Sequence, residues 1–188
     1  MSNNGFSRFL TSLLRHQAIN KGYKMDDQGF VSVDEIISKC TTSLEQIKQI
    51  VETDNKNRFE LKEINGAWYV RAVQGHSIQL ANPVLELVTN PLDIPTVVHG
   101  TNKKAYKSIK IDGLNRMSRT HIHFASGTLD DKSVISGMRK TASVMIHIDV
   151  EKAMAAGITF YKSLNGVILS EGINGVIGPE YFSGVDFI

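Results

Sequence analysis

Guanidinium and imidazole groups recur in short, unusual settings along the chain. They stand at Arg15-His16, in Arg71-Ala72-Val73-Gln74-Gly75-His76-Ser77, at His99-Gly100-Thr101, at His121-Ile122-His123 and at Gly137-Met138-Arg139. Such groups suit the holding of anions. A guanidinium matches phosphate with parallel N–H donors, and an adjacent glycine lets a ligand approach the backbone. Each motif also has a plainer reading. Arg15-His16 closes an amphipathic stretch, where cations complement a helix C-terminus. The run from Arg71 is a polar loop leaving a strand, His99-Gly100-Thr101 is a strand end before a helix, and Arg139 is a solvated cation at a helix end. His121 and His123 fall on one face of a strand. A zinc site built on them lacks a third ligand at suitable spacing, so no metal is expected.

The background is that of a folded, nearly neutral protein. The chain has 188 residues, with 21 Lys and Arg against 19 Asp and Glu, a net charge of +2, and 41% apolar residues. That length suits one ordinary domain or two small ones. The charge balance excludes a histone-like coater of nucleic acid but not a local basic patch. No apolar run reaches the roughly 18 residues of a membrane span, and no signal peptide is visible. Cys40 is the single cysteine, which rules out an internal disulfide and points to a reducing compartment, the cytoplasm or nucleus.

The elements that must position these groups fall into two halves. Phe6, Phe9, Leu10, Leu13 and Leu14 recur at helical spacing, and Gly22 breaks the pattern. A short β-like stretch at residues 29–33 leads into a helix that Ser32 or Asp34 could cap. A second helix, capped by Thr42 or Ser43, runs through Ile47, Ile50 and Val51. Two strands, residues 59–61 and 67–70, flank Asn65-Gly66, a strong hairpin signal. Helices followed by a hairpin suggest a winged helix. Pro83, Pro91 and Pro95 then mark an extended linker. The second half predicts strands at residues 96–99, 121–124, 144–148 and 167–169. Helices are expected at 103–111, ending at Gly113, and at 133–138. The fold class is α+β. Neither a Gly-x-Gly-x-x-Gly nor a phosphate-loop sequence is present.

Taken in order, the motifs resemble the RNA 2′-phosphotransferase family over nearly the whole chain. The resemblance rests on Leu14-Arg15-His16, Gly22, Asp26 and Gly29-Phe30-Val31, then on residues 71–77 and His99-Gly100-Thr101. It continues through Gly113-Leu114, Met117-Ser118-Arg119 and His121-Ile122-His123 to residues 160–167, Pro179 and Tyr181-Phe182. One such motif is weak; several in fixed order are specific. The resemblance implies an N-terminal winged-helix RNA-binding lobe over residues 1–82, a proline-containing linker over 83–95, and an ADP-ribosyltransferase-like, NAD-binding lobe of antiparallel sheets with helices over 96–188. His123-Phe124-Ala125 is similar to the Tyr-Phe-Ala of wider ADP-ribosyltransferases. Where many of those enzymes have a glutamate, Asn165-Gly166-Val167 offers no carboxylate, which suits an acceptor that is already an anion.

The activity implied is NAD-dependent removal of an internal RNA 2′-phosphate, as at a tRNA splice junction. An ADP-ribosylated 2′-phosphate intermediate would give 2′-hydroxyl RNA, nicotinamide and ADP-ribose 1″,2″-cyclic phosphate. By the same resemblance Arg15, Arg71 and Arg139 hold phosphate and the transition state. His16 would bond phosphate or ribose or serve as an acid or base. His99, Gly100, Thr101, His123 and Ser126 bind NAD. Arg119, Lys162 and His76 are further candidates for substrate phosphate. Arg119 rivals Arg139, and Lys162 stands where relatives usually have arginine, keeping the charge without the fork. The expected partner is 2′-phosphorylated RNA, with no membrane and a monomeric state, and the expected site lies in a cleft between the lobes. Two alternatives stay open: an ADP-ribosyltransferase that stops at the adduct on nucleic acid or protein, and a non-catalytic RNA-binding protein.

Overall fold

The computed structural model describes residues 3–127 and 141–188. The helix expected over residues 133–138 and Arg139 lie outside the described residues. The chain divides into two compact units, residues 1–84 and 85–188. Both mix helices with antiparallel sheets, as the α+β reading requires.

In the first unit, helix α1 (Asn3–Ser12) runs into a π-helical turn, Leu13–Gln17. Phe6, Leu10, Leu13 and Leu14 are buried, so the apolar stripe that predicts the helix is its core face. The turn closes through the Ala18 N–H, which reaches the Leu13 carbonyl at 2.8 Å. Strand β1 (Val31–Ser32) leads into α2 (Val33–Lys39), whose first turn is capped by the Ser32 hydroxyl. Ser43 caps α3 (Leu44–Glu52), accepting from the Gln46 N–H at 3.3 Å. Strands β2 (Phe59–Ile64) and β3 (Ala67–Ala72) form the hairpin. Asn65 and Gly66 both have positive φ, 51° and 80°, as a type I′ turn demands. The sheet order is β1-β3-β2. Val31, Val33, Ile36, Ile47, Phe59 and Val70 join the α1 stripe in one core.

In the second unit, β4 (Glu86–Leu87), β9 (Tyr161–Lys162), β10 (Ile168–Ser170) and β7 (Ile122–Phe124) form one antiparallel sheet in that order. A second holds β12 (Phe182–Phe187), β8 (Val144–Ile148) and β5 (Val98–Thr101). A small pair, β6 (Leu114–Asn115) and β11 (Val176–Ile177), stands beside them. Helix α4 (Lys103–Asp112) is capped by Asn102 and ends at Gly113, where φ is +83°. Asp149 caps α5 (Val150–Ala155), accepting from the Lys152 N–H at 3.0 Å. Phe124, Ile146, Phe160 and Ile168 are at the centre of the core.

The proline-containing stretch 83–95 takes on structure as it enters this unit. Glu86 and Leu87 pair with Lys162 and Tyr161, Pro91–Asp93 makes a 3-10 turn, and Val88 and Ile94 are buried. Proline ends the pairing without preventing its neighbours from packing. The two sheets of this unit are also linked to each other. Val98 and Ala125 exchange backbone hydrogen bonds at 3.0 and 2.9 Å, which ties β5 to the chain just past β7 and brings His99 beside His123.

Candidate functional site

In the first unit the site is built on the π-helical turn. A π-turn shifts the backbone pairing by one residue, and such turns gather at functional positions. Here the Arg15 carbonyl is taken by the chain after β3: the N–H groups of Ser77 and Ile78 donate to it at 3.0 and 3.3 Å. His16 Nδ1 lies 2.9 Å from the Ser77 hydroxyl oxygen. Gly75 completes the fit. Its φ is +87°, and a Cβ there would stand 3.1 Å from Arg15 Cζ and 3.2 Å from Nε and Nη1. The missing side chain is the space in which the guanidinium lies. His76 is buried beside Gly29, whose absent Cβ would be 3.5 Å from His76 Nε2. Arg15, His16, Gly75, His76 and Ser77 are therefore assembled from two segments some sixty residues apart.

Arg71 stands on β3 at the entrance to the same loop. It is only 4% exposed. Its Nε and Nη2 both donate to Glu60 Oε2, the former at 2.7 Å, and Nη1 donates to the Gln28 carbonyl at 3.1 Å. The guanidinium carbon lies 4.5 Å from the centre of the Phe30 ring. Three of its five N–H donors are thus engaged within the unit. Glu60 is the direct cross-strand neighbour of Arg71, and its own side chain is 34% exposed, so solvent screens part of the pair's attraction.

The second unit supplies a cavity of about 630 Å³ lined by His99, Thr101, Arg116, Arg119, His121 and His123 among others. The lining comes from β5, one face of α4, residues 114–115, the turn that follows them and the start of β7. His99 Nδ1 donates to the His123 carbonyl at 3.0 Å, which leaves Nε2 of the neutral ring as an acceptor. Burial pushes the His99 pKa below its ordinary value, and the nearby Arg119 charge pushes the same way against the pull of that hydrogen bond. Both effects favour the neutral form of His99. Its ring meets Phe124 edge-on at 6.0 Å. Arg119 Nη1 donates to His123 Nδ1 at 3.4 Å, so a neutral His123 carries its proton on Nε2. Arg116 donates to the Arg119 carbonyl at 2.7 Å. Burial also lowers the His121 pKa, with Glu171 opposing and Arg116 reinforcing the shift.

The remaining sequence candidates fall elsewhere. Gly100 is on β5, where it pairs with Met145, and is not among the residues lining the cavity. Ser126 is exposed just past the Val98–Ala125 bridge. Lys162 is exposed on β9, opposite Glu86 and Ile168. Among the described residues no group of three or more His, Cys, Asp or Glu stands ready to hold a metal. Nor is any helix among them long and apolar enough to cross a membrane.

Sequence reasoning missed several participants. Glu60 was legible in principle: a two-residue Asn65-Gly66 turn fixes the hairpin register, and counting outward places Glu60 opposite Arg71. Ala105, Ser108, Ile109 and Asp112 line the cavity at the spacing of one helical face, a pattern hidden because α4 has no buried stripe. Arg116 gave no local signal; it is oriented by packing over Gly175, whose Cβ would lie 3.0 Å from its Nε.

Together these features define a two-unit α+β protein with arginine and histidine side chains grouped in each unit. Residues 2–172 match the family described as RNA 2′-phosphotransferase, Tpt1 / KptA family, and the chain belongs to that family. It is 40% identical over 185 residues to tRNA 2′-phosphotransferase 1 of Danio rerio, covering 94% of this chain and 82% of that protein. Identity to the tRNA 2′-phosphotransferase of Saccharomyces cerevisiae is 35% over 181 residues, 89% of this chain and 78% of the other. A Schizosaccharomyces pombe protein provisionally named as a tRNA 2′-phosphotransferase is 42% identical over 184 residues. That match covers 96% of this chain, which spans 50% of that longer protein.

Proposed function

We propose that this chain removes an internal 2′-phosphate from RNA, with spliced tRNA as the substrate, and that NAD⁺ is the co-substrate that carries the phosphate away. In this reading the first unit is a winged-helix RNA lobe; its helices and β1-β3-β2 sheet support that role. The second is an ADP-ribosyltransferase-like lobe that binds NAD⁺. The observation that carries the reading is the convergence of His99, Thr101, Arg119 and His123, from two motifs twenty residues apart, on one cavity.

The donor set suits a dinucleotide. Arg116 and Arg119 provide guanidinium groups for a pyrophosphate. His99, kept neutral with Nε2 as acceptor, suits a ribose hydroxyl. Arg15, His16 and Arg71 hold the RNA 2′-phosphate; for Arg139 the same role rests on the family resemblance alone. A phosphate oxygen attacks the anomeric carbon of the nicotinamide ribose; the C–N bond breaks and nicotinamide leaves with the electron pair. The ribose 2″-hydroxyl then attacks phosphorus and the bond to the RNA 2′-oxygen breaks. The proton lost by the first oxygen ends on the second. The phosphate is already anionic, so the first step asks the protein chiefly for orientation and charge stabilisation.

The test is incubation of the purified protein with NAD⁺ and an RNA bearing one internal 2′-phosphate. Both ADP-ribose 1″,2″-cyclic phosphate and 2′-hydroxyl RNA are expected. A stable ADP-ribosyl adduct would replace this reading by a transferase that stops after the first step. No nicotinamide release at all would leave an RNA-binding role.

A further inference from the structure

We infer that Ser77 is the positioning residue of His16: its hydroxyl fixes the ring so that Nε2, with its proton, is the atom turned to substrate. This deepens the proposed function and rests on His16 acting there. His16 is exposed at the end of a π-turn. An exposed imidazole with no tether samples several rotamers and two neutral tautomers. Ser77 removes that freedom at two points. Its backbone N–H holds the Arg15 carbonyl at 3.0 Å, and its Oγ lies 2.9 Å from His16 Nδ1. The first contact sets the peptide that leads into His16, and the second sets the ring.

The chemistry of the pair selects the outcome. When the Ser77 O–H donates to Nδ1, the neutral ring must carry its proton on Nε2, where it is a donor to an anionic phosphate oxygen. When the ring gains a proton, Nδ1–H donates to the same oxygen by rotation of the hydroxyl. One serine therefore supports both protonation states in one orientation. Gly75 lets the arrangement include Arg15: the loop that delivers Ser77 to His16 also leaves the space that Arg15 fills. The spacing Gly75-His76-Ser77 serves two functional side chains from one turn, which an incidental surface hydrogen bond would not require.

The experiment combines kinetics and NMR on the intact chain, with NAD⁺ and a 2′-phosphorylated RNA oligonucleotide. Ser77→Ala should lower kcat about tenfold, the cost of a misoriented group, with the NAD⁺ KM and the unfolding midpoint unchanged. Ser77→Thr, which keeps the hydroxyl, should restore most of the rate. In a His16→Ala background the Ser77→Ala change should have no further effect. Long-range ¹H–¹⁵N spectra should show His16 with its proton on Nε2 in the parent and a mixture of tautomers in Ser77→Ala. Parent-like kcat and unchanged His16 signals in Ser77→Ala would overturn the inference, as would a full loss that persists without His16. A His16→Ala protein with parental turnover would instead overturn the assignment of His16 itself.

Discussion

Arg71 and Arg119 illustrate two ways of presenting a guanidinium. In the first unit Arg71 is 4% exposed, set against the carboxylate of Glu60, the carbonyl of Gln28 and the ring of Phe30. In the second, Arg119 stands on the wall of a cavity of about 630 Å³ with Nη1 near His123. The first arrangement exchanges part of its attraction for an anion against a fixed direction of its donors. The second offers volume, with charge at its edge. A group that must align a reacting phosphate benefits from the former, because orientation is worth more in the transition state than in binding. A group that must retain a whole dinucleotide benefits from the latter.

The comparison breaks most readily at Arg71. Arg71→Ala should reduce nicotinamide release in the presence of 2′-phosphorylated RNA by about 10²–10³-fold, the usual cost of a lost transition-state donor. Arg71→Lys should recover little of it. Lysine keeps the charge but cannot meet Glu60, the Gln28 carbonyl and a phosphate with one rigid fork. Full recovery with lysine would show that a point charge suffices and that the fixed direction has no value.

A smaller effect of a different kind is expected from Arg119→Gln. If the second unit's arginine retains the dinucleotide, KM for NAD⁺ should rise about tenfold while KM for the RNA stays close to parental. Steady-state kinetics with each substrate varied in turn separates the two. A change confined to the RNA KM would move Arg119 to the phosphate side of the reaction and erase the distinction between the units.

Glu60→Gln tests the exchange proposed for Arg71 directly. The amide keeps the shape and an acceptor oxygen but removes the negative charge beside the guanidinium. The RNA should bind a few-fold more tightly and kcat should fall a few-fold, because attraction rises as alignment loosens. A rise in both affinity and kcat would mean that Glu60 merely competes with the substrate.

How far the sequence announces these arrangements depends on the range of the interactions. Local signals were readable: the caps, narrowed to Ser32 or Asp34 and to Thr42 or Ser43 and found at Ser32 and Ser43, the Asn65-Gly66 turn, and the helix that stops at Gly113 each follow from one or two residues and their neighbours. The motif residues were also readable as types, since arginine beside histidine or glycine is unusual. What could not be read was which partner each would meet. The π-turn that frees the Arg15 carbonyl has no compositional mark. Its Arg15 carbonyl accepts from N–H groups sixty residues away, a pairing that no local pattern announces. The part of residues 83–95 that pairs into a sheet was hidden for a related reason. Its proline content describes the local chain, whereas the burial of Val88 and Ile94 is decided by a core formed later in the sequence.

The smallest effect concerns stability, and it separates the units by pH. His99 is buried neutral, with a pKa held below its ordinary value of 6.5. As pH falls through that value, an unfolded chain takes up a proton that the folded His99 still refuses. Unfolding is then favoured, and the loss levels off only below the folded pKa. His121 shifts in the same direction, and it too belongs to the second unit. The first unit's Glu35 shifts in the same direction but titrates in a lower window. Its pKa is lowered chiefly by the Lys39 hydrogen bond, so its contribution persists down to about its ordinary 4.5 and is lost below it. Between pH 7.5 and 5.5, roughly the window set by the ordinary histidine value, the urea midpoint of the parent should therefore decline. His99→Asn, which retains a donor for the His123 carbonyl, should decline less, and His121 contributes to the slope that remains. Identical slopes in the two proteins would show that the His99 ring accepts its proton in the folded state as readily as in the unfolded one. The neutral acceptor assigned to the cavity would then be lost.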